Sequence, residues 1–585
     1  MSHDDDVSST GPVADDARDD AQAPNASSDA ATVPMGHAAA AVTSPDTLVA
    51  VPPGSDALAA MAARVQARAE EEGAGSSEPE KPALTDSFVA KCSKYAEKGD
   101  GILHSAMFQG RLVYVPETKT WYEWAAHYWE KTHIHRVEAS VEEVGAKYRE
   151  VAEAYRKKSQ QADDADEKSE GKILKSIADR LERRAANLNS VKGITACLKC
   201  TLNCQAPLIA SPDIWDTDPW LISVFNGVVD LKTGELRPGR PNDYIRKSCP
   251  VEWKGLHHPA PSWERFLQEI IGAADGVLPY LHKTLGYAIT GNANENIFLM
   301  LYGEQGRNGK TIFMETIKRA LGPYMGPMKA ELLLERNIPK DPDSATPTIM
   351  NMNGMRIMYA AETSENRRFS TAQVKWLSGS DMLTGRYLWD KEDTEFSPTH
   401  TLFLLTNFMP GATAHDSAFW ERLRLINFPF RFVENPKGDM ERPRDIKLFD
   451  KLLEELPGVL AWLVRGCLLY RKEGLKAPPA VLKSIEDYRT EQDTMQVFVD
   501  MCLQKASVED RLSASEIYEV YREWHKHNVH PDPRRVPNMN VFGRQLKTKV
   551  EKRKVGGLYW YYGVRWSEGA DKYASRAGPK DSPGP

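Results

Sequence analysis

Residues Ile297–Leu321, IFLMLYGEQGRNGKTIFMETIKRAL, decide how this chain of 585 residues is read. Ile297–Tyr302 are all apolar or aromatic and predict a buried strand, while Ile312, Phe313, Thr316, Ile317, Ala320 and Leu321 recur at helical spacing after Gly309. Between them lies Gly303-Glu304-Gln305-Gly306-Arg307-Asn308-Gly309-Lys310-Thr311. A glycine-rich turn between strand and helix lets backbone N–H groups and the helix N-terminus converge on phosphate oxygens. In such a turn Lys310 reaches the β and γ phosphates of ATP, and the Thr311 hydroxyl holds Mg²⁺. The match to G-x-x-x-x-G-K-[ST] is imperfect: Gly303 stands one residue early, Glu304 occupies the strict position, and Gly306 is expected to make the turn instead. A glycine-lysine turn alone could also be an ordinary surface loop, so the flanking strand and helix strengthen the assignment.

Three later stretches fit around this loop. Arg356–Ala361 predicts a strand that delivers Glu362 at its tip, with Glu365 three residues on. A carboxylate there orders Mg²⁺ or polarises an attacking water. Ala361 fills the place of a first acid, so Glu362 serves alone or with Glu365, and each acid taken singly also reads as a solvated surface group. Thr401–Thr406 predicts another buried strand, ending on Asn407, whose amide suits a lytic water or a γ-phosphate. Trp420–Phe428 sets Arg422 and Arg424 just before one more strand.

Composition bounds the remainder. With 41% hydrophobic residues the chain can build several cores, and a formal net charge of −7 by itself disfavours nucleic acid. The acid is concentrated in runs such as Asp4–Asp6 and Glu70–Glu72, so total charge decides little. No apolar run nears the ~18 residues of a membrane span, and the first thirty residues lack a signal-peptide core, so a soluble, intracellular chain without membrane partners is expected. Seven cysteines, an odd number, suggest reduced thiols. Cys197, Cys200 and Cys204 invite a zinc reading, but a fourth ligand is missing nearby, and one face of a helix accounts for them better.

The expected organisation is a disordered Asp- and Ala-rich tail over 1–82, an N-terminal α+β domain over 83–258, an ATPase domain over 259–455, a helical connector over 456–500, a C-terminal domain over 501–566 and a disordered tail over 567–585. Within the first domain, Leu112–Val115 predicts a strand, Val141–Ser159 and Lys172–Cys204 predict two helices joined by the loop Gln160–Gly171, and Leu221–Leu231 predicts a hairpin turning at Asn226-Gly227. Ser513–His525 and Val541–Glu551 predict helices before a hairpin at Gly556–Trp566, an order that suggests a winged helix. Arg544, Lys547, Lys549, Lys552, Arg553 and Lys554 form a basic cluster there suited to duplex DNA, or simply a soluble face.

GEQGRNGKT (303–311), RIMYAAETSE (356–365), KWLSGSDMLTGR (375–386), TLFLLTNFMP (401–410) and WERLRLINF (420–428), in this order, resemble the motifs of superfamily 3 helicases, and among them the phage and plasmid primase-helicases related to the poxvirus type. The resemblance extends over roughly residues 100–566. It implies an α/β fold, with a P-loop AAA+-type helicase core, an N-terminal α+β domain and a C-terminal winged-helix-like domain. It further implies a ring, commonly a homo-hexamer, that hydrolyses ATP with Mg²⁺ between subunits and moves on single-stranded DNA. On this resemblance Gly303, Gly306, Arg307, Asn308, Gly309, Lys310 and Thr311 hold the nucleotide, Thr311 and Glu362 the metal, Asn407 is the sensor and Arg422 the arginine finger. Lys375, Arg386, Tyr387, Trp389 and Lys391 fall in the segment that includes a channel hairpin, where cations beside aromatics suit phosphates and unstacked bases. No primase domain is recognisable, so a separate primase or polymerase subunit is expected, in the cytoplasm of a bacterial host if the chain is phage- or plasmid-encoded. The leading reading is an ATP-dependent helicase acting on forked DNA; the alternative is an ATP-switched origin-binding scaffold without unwinding activity.

Overall fold

A computed structural model describes residues 83–335, 346–361, 367–386, 392–529 and 531–577. Five parallel strands form its central sheet: β1 (Phe298–Tyr302), β2 (Met325–Pro327), β3 (Ile357–Ala361), β4 (Thr401–Thr406) and β5 (Leu423–Asn427). Their spatial order is β5-β1-β4-β3-β2. All six residues of β4 and the first four of β1 are buried, which explains apolar runs without alternation. The helix Lys310–Leu321 follows β1 and buries Phe313, whose ring stacks on Trp263 of the helix Pro261–Ile271 with 5.7 Å between centroids.

One apolar core runs from Leu221 to Tyr488, and it crosses the domain limits expected at residues 258 and 455. The hairpin strands Leu221–Val224 and Gly227–Asp230 bury Ile222, Val228 and Val229 in this core. Arg356, buried just before β3, donates from Nη1 to Pro219 O (3.2 Å) and from Nη2 to Leu221 O (3.1 Å). The helix Leu456–Glu473 lies so close to the helix Val277–Ala288 that a Cβ on Gly286 would stand 2.0 Å from the Gly466 carbonyl carbon. Proline clusters mark chain punctuation, but shared burial sets the extent of the domain. The hairpin loop is Phe225-Asn226, one residue before the expected turn, because Val224 pairs with Gly227 and the Asn226 amide is bonded to the Trp253 backbone in both directions.

The N-terminal core gathers helices Asp86–Cys92, Ala96–Phe108, Ile134–Asp164, Lys168–Asn187 and Val191–Leu202 beside a sheet that contains the expected strand Leu112–Val115. The loop expected over Gln160–Gly171 contracts to 165–167, since its Gln, Ala and Lys residues are adequate helix formers and Ser159 Oγ donates across to Gly171 O (2.8 Å). The long helix expected over Lys172–Cys204 breaks at Ser190, which caps the next helix by accepting from Gly193 N–H (3.0 Å). Cys197 and Cys200 lie on that helix, Cys197 buried with its thiol pushed up by burial, and Cys204 lies past its end. Among the described residues no cluster of His, Cys, Asp or Glu could hold a metal, and no helix is long and apolar enough to cross a membrane.

The C-terminal core spans Met495 to Tyr573. Helices Ala514–Asn528 and Met539–Leu546 precede the paired strands Glu551–Val555 and Leu558–Tyr562, with Arg511–Ser513 completing a three-stranded antiparallel sheet. The helix expected to reach Glu551 stops early, and Glu551 opens a strand. Residues 567–577, expected to be disordered, carry the helix Asp571–Ala577, and Tyr573 anchors it by accepting from Asn528 Nδ2 (2.9 Å). The expected tails over 1–82 and 578–585 lie outside the described residues.

In the N-terminal core the Asp100 carboxylate is buried and receives bonds from Tyr148 OH (3.0 Å) and from the Arg184 guanidinium. Arg184→Met leaves that carboxylate buried without its cation, a change costing about 3–5 kcal/mol. Hydrogen exchange of amides in Lys168–Asn187 is expected to accelerate more than a hundredfold; a change below tenfold contradicts this role.

Candidate functional site

β1 runs directly into the glycine loop, and Gly303 N–H donates to Thr406 O at the end of β4 (3.2 Å). Gly306 and Gly309 have φ of +69° and +84°, so left-handed backbone falls where a Cβ would be strained. Gly306 thus makes the turn for which Gly303 stands too early. The helix begins at Lys310, leaving its first N–H groups without intrahelical acceptors at the loop.

The Lys310 ammonium folds into this loop. Its Nζ donates to Gly303 O (2.9 Å), Asn308 Oδ1 (3.1 Å) and Asn407 Oδ1 (2.7 Å). Burial pushes its pKa down to about 8. Asn308 is buried as well and donates from Nδ2 to Phe428 O (3.1 Å) and Phe430 O (3.0 Å), while Phe432 N–H donates to Arg307 O (2.9 Å). The stretch that leaves β5 therefore clamps the loop from outside. A Cβ on Gly303 would come within 2.8 Å of Lys310 Nζ and 2.7 Å of Asn308 Oδ1. Thr311 is exposed in the first helical turn.

Because β4 lies between β1 and β3, the residue after β4 stands beside the loop, and that residue is Asn407. β3 ends at Ala361; Glu362 and Glu365 lie outside the described residues. Arg422 is the last residue of the helix Ser417–Arg422, and Leu423 pairs with Phe298 while Asn427 pairs with Tyr302. Arg422 therefore stands at the opposite end of the sheet from Lys310, about 16 Å away along β5 at ~3.3 Å per residue. Its Nη1 donates to Ala418 O (3.3 Å), and Arg424 Nη1 donates to Glu421 O (2.6 Å).

Lys375, expected on DNA, is committed elsewhere: its Nζ lies 2.9 Å from Asp416 Oδ2. Asp416 also caps the Arg422 helix, accepting from Phe419 N–H (3.3 Å). Burial raises the Asp416 carboxyl, but hydrogen bonds from Lys375, Thr371 and the Phe419 N–H together hold it below its ordinary value. The channel-hairpin segment is a hairpin, Leu383–Gly385 against Thr394–Phe396. Arg386 directly follows its first strand, at the loop end of the ladder and 3.9 Å from Asp393 Oδ1, while Tyr387, Trp389 and Lys391 lie outside the described residues. Arg544 and Lys547 are exposed at the end of the helix Met539–Leu546, whereas Lys549 is paired with Asp493 at 2.7 Å. The Asn308 clamp and the Lys375–Asp416 pair carry no signature in the sequence, since both join residues distant along it.

Residues 102–272 match the family described as D5 N terminal like. This D5-like segment takes in the helices Ile134–Asp164, Lys168–Asn187 and Val191–Leu202, the hairpin and the helix Pro261–Ile271, crossing the limit expected at 258 as the shared core does. The chain is similar over part of its length to "Putative helicase L207/L206" of Acanthamoeba polyphaga mimivirus, 28% identical over 327 residues, covering 54% of this chain and 34% of that protein. It is also similar to "Putative helicase 022R" of Frog virus 3, 24% identical over 452 residues, covering 64% of this chain and 46% of that protein. The chain thus spans between about a third and a half of these relatives. Among solved structures, the A form of the apo C-terminal region of NrS-1 aligns with 79% of this chain and 98% of its own at 9% identity and a TM-score of 0.41.

Asp416→Ala removes both the cap and the partner of Lys375. Loss of a cap costs about 0.5–2 kcal/mol, so amides 418–422 are expected to exchange several-fold faster while those of β4 stay unchanged. Unchanged exchange at 418–422 contradicts the capping role.

Proposed function

We propose that this chain is the motor of an ATP-dependent replicative DNA helicase of the superfamily 3, AAA+-like type, assembled as a ring in which ATP is hydrolysed between subunits. The observation that carries this reading is the buried Lys310 ammonium, held by oxygens of Gly303, Asn308 and Asn407 at the mouth of a parallel sheet. Among the described residues the partners of this buried cation are neutral oxygens, and a triphosphate supplies a counter-charge. Similarity to the named viral helicases supports the choice of DNA as substrate.

On this reading the loop N–H groups from Gly306 to Lys310 bind phosphate oxygens, and Lys310 exchanges the Gly303 carbonyl for the β and γ oxygens. Mg²⁺, which Thr311 and Glu362 would hold, neutralises phosphate charge when bound. Release from Lys310 frees the Asn407 amide to orient the attacking water. Arg422 is too far along β5 to reach its own loop, so it acts on a neighbouring subunit's γ-phosphate. The hairpin that leads into Arg386 lines the channel for single-stranded DNA. The C-terminal helix-helix-hairpin domain is winged-helix-like and meets the duplex of a fork through Arg544 and Lys547. A primer-forming primase or polymerase acts as a separate partner.

Mixing tests this directly. Lys310→Ala and Arg422→Ala proteins are each expected to be inactive as ATPases, Arg422→Ala by about 10³-fold or more, and to regain activity when co-assembled, because one interface then pairs an intact loop with an intact arginine. Absence of recovery in rings shown to contain both subunits overturns a finger in trans.

The Lys310 titration supplies a second test. Its folded pKa of about 8 lies below the ordinary 10.5, so the unfolded chain holds the extra proton between these values and stability rises with pH across that window. Phosphate binding needs the charged form, so ATP binding is expected to take up a proton and to weaken about tenfold between pH 7 and 9, whereas Lys310→Arg stays flat. Calorimetry in buffers of different ionisation enthalpy reads the uptake; pH-independent binding without uptake contradicts the placement of Lys310.

A further inference from the structure

The three-stranded sheet of the C-terminal domain has two faces of unlike chemistry. Tyr561 and Leu512 face the helices, and the Tyr561 hydroxyl donates to Gly543 O (3.2 Å). Strand alternation sends Trp560, Tyr562, Arg511 and Arg553 to the other face, where Arg511 pairs with Tyr562 and Arg553 with Trp560 across the ladder. An outward sheet face is ordinarily polar; this one carries two large aromatic rings.

Those rings and guanidiniums interleave. The Arg511 guanidinium lies 4.5 Å from the Trp560 ring centre and 6.0 Å from that of Tyr562, and the Arg553 guanidinium lies 4.7 Å from Tyr562. Arg511 Nη1 also donates to Tyr562 OH (3.2 Å). Arg553 is neutralised by Glu551 at 2.8 Å, whereas the hydrogen-bond partner of the Arg511 guanidinium is the neutral Tyr562 hydroxyl. Trp560 and Tyr562 stand outside the domain's core cluster and are half-buried, and both Arg511 and Arg553 are exposed.

We propose that this face is a single-strand binding platform, on which unstacked bases lie against Trp560, Tyr562 and the guanidinium planes while phosphates pair with Arg511. Stacking on aromatic and guanidinium planes accepts any base, and a cation pinned over a ring supplies charge without a mobile side chain. The helix that carries Arg544 lies on the other side of the sheet, so one small domain presents a surface for duplex and a separate one for the unpaired strand. The platform does not depend on ATP hydrolysis.

The test uses the full chain without nucleotide and oligonucleotides in which one thymine is replaced by 5-iodouracil. Photocrosslinks are expected to map to Trp560 or Tyr562; crosslinks found only outside 551–566 overturn the platform. Trp560→Ala with Tyr562→Ala is expected to lower affinity for a dT oligomer at least tenfold and to leave a duplex of equal length within twofold, while Trp560→Phe with Tyr562→Phe retains most of the binding. An equal loss for both DNAs, or none, overturns the proposal. Because the double alanine variant can disturb the domain, Arg511→Gln gives an independent reading: the salt dependence of single-strand binding falls by about 0.7 in log–log slope, and an unchanged slope counts against Arg511 as a phosphate contact.

Discussion

A buried ammonium must be surrounded by acceptors, and Lys310 meets that demand with three oxygens drawn from three parts of the chain. Gly303 provides a carbonyl at the start of the loop, Asn308 a side chain within it, and Asn407 a side chain from the neighbouring strand. Desolvation lowers the lysine's pKa, so the folded protein keeps an ammonium in a place that disfavours charge. The buried sheet holds these groups in register: with β4 next to β1, the amide at the tip of one strand arrives at the lysine that follows the other. On the proposed reading a triphosphate relieves this desolvation.

β5 connects that constraint to the rest of the protein. Its outgoing end supplies the Phe428 and Phe430 carbonyls that grip Asn308, and its incoming end starts at Arg422. A single short strand thus touches the loop at one end and sets an arginine at the other. The Lys375–Asp416 pair fixes the helix from which that arginine emerges, linking it to the segment before the hairpin at Arg386.

The strands that bear the loop were legible because buried parallel strands and the helix after Gly309 write their burial into uninterrupted or periodic apolar runs. Lys310 and Asn407 were legible as neighbours for the same reason, since each follows a strand that the pattern marks. The shared burial across residues 258 and 455 was not, because the hairpin at Leu221–Asp230 and the helix Leu456–Glu473 join one core through contacts between residues distant in sequence. The partner of Lys375 was not legible: a cation beside a tryptophan looks the same in sequence whether or not an aspartate 41 residues away pairs with it. The ordered helix after Trp566 was missed because a single buried tyrosine, Tyr573, anchors it.

Strand displacement on a forked duplex by the full chain tests the account most directly. ATP with Mg²⁺ is expected to release the displaced strand, and Lys310→Ala is expected to bind the fork yet release nothing. ATP turnover and fork binding by the unaltered protein with no strand released would contradict a helicase and leave a nucleotide-switched scaffold in its place.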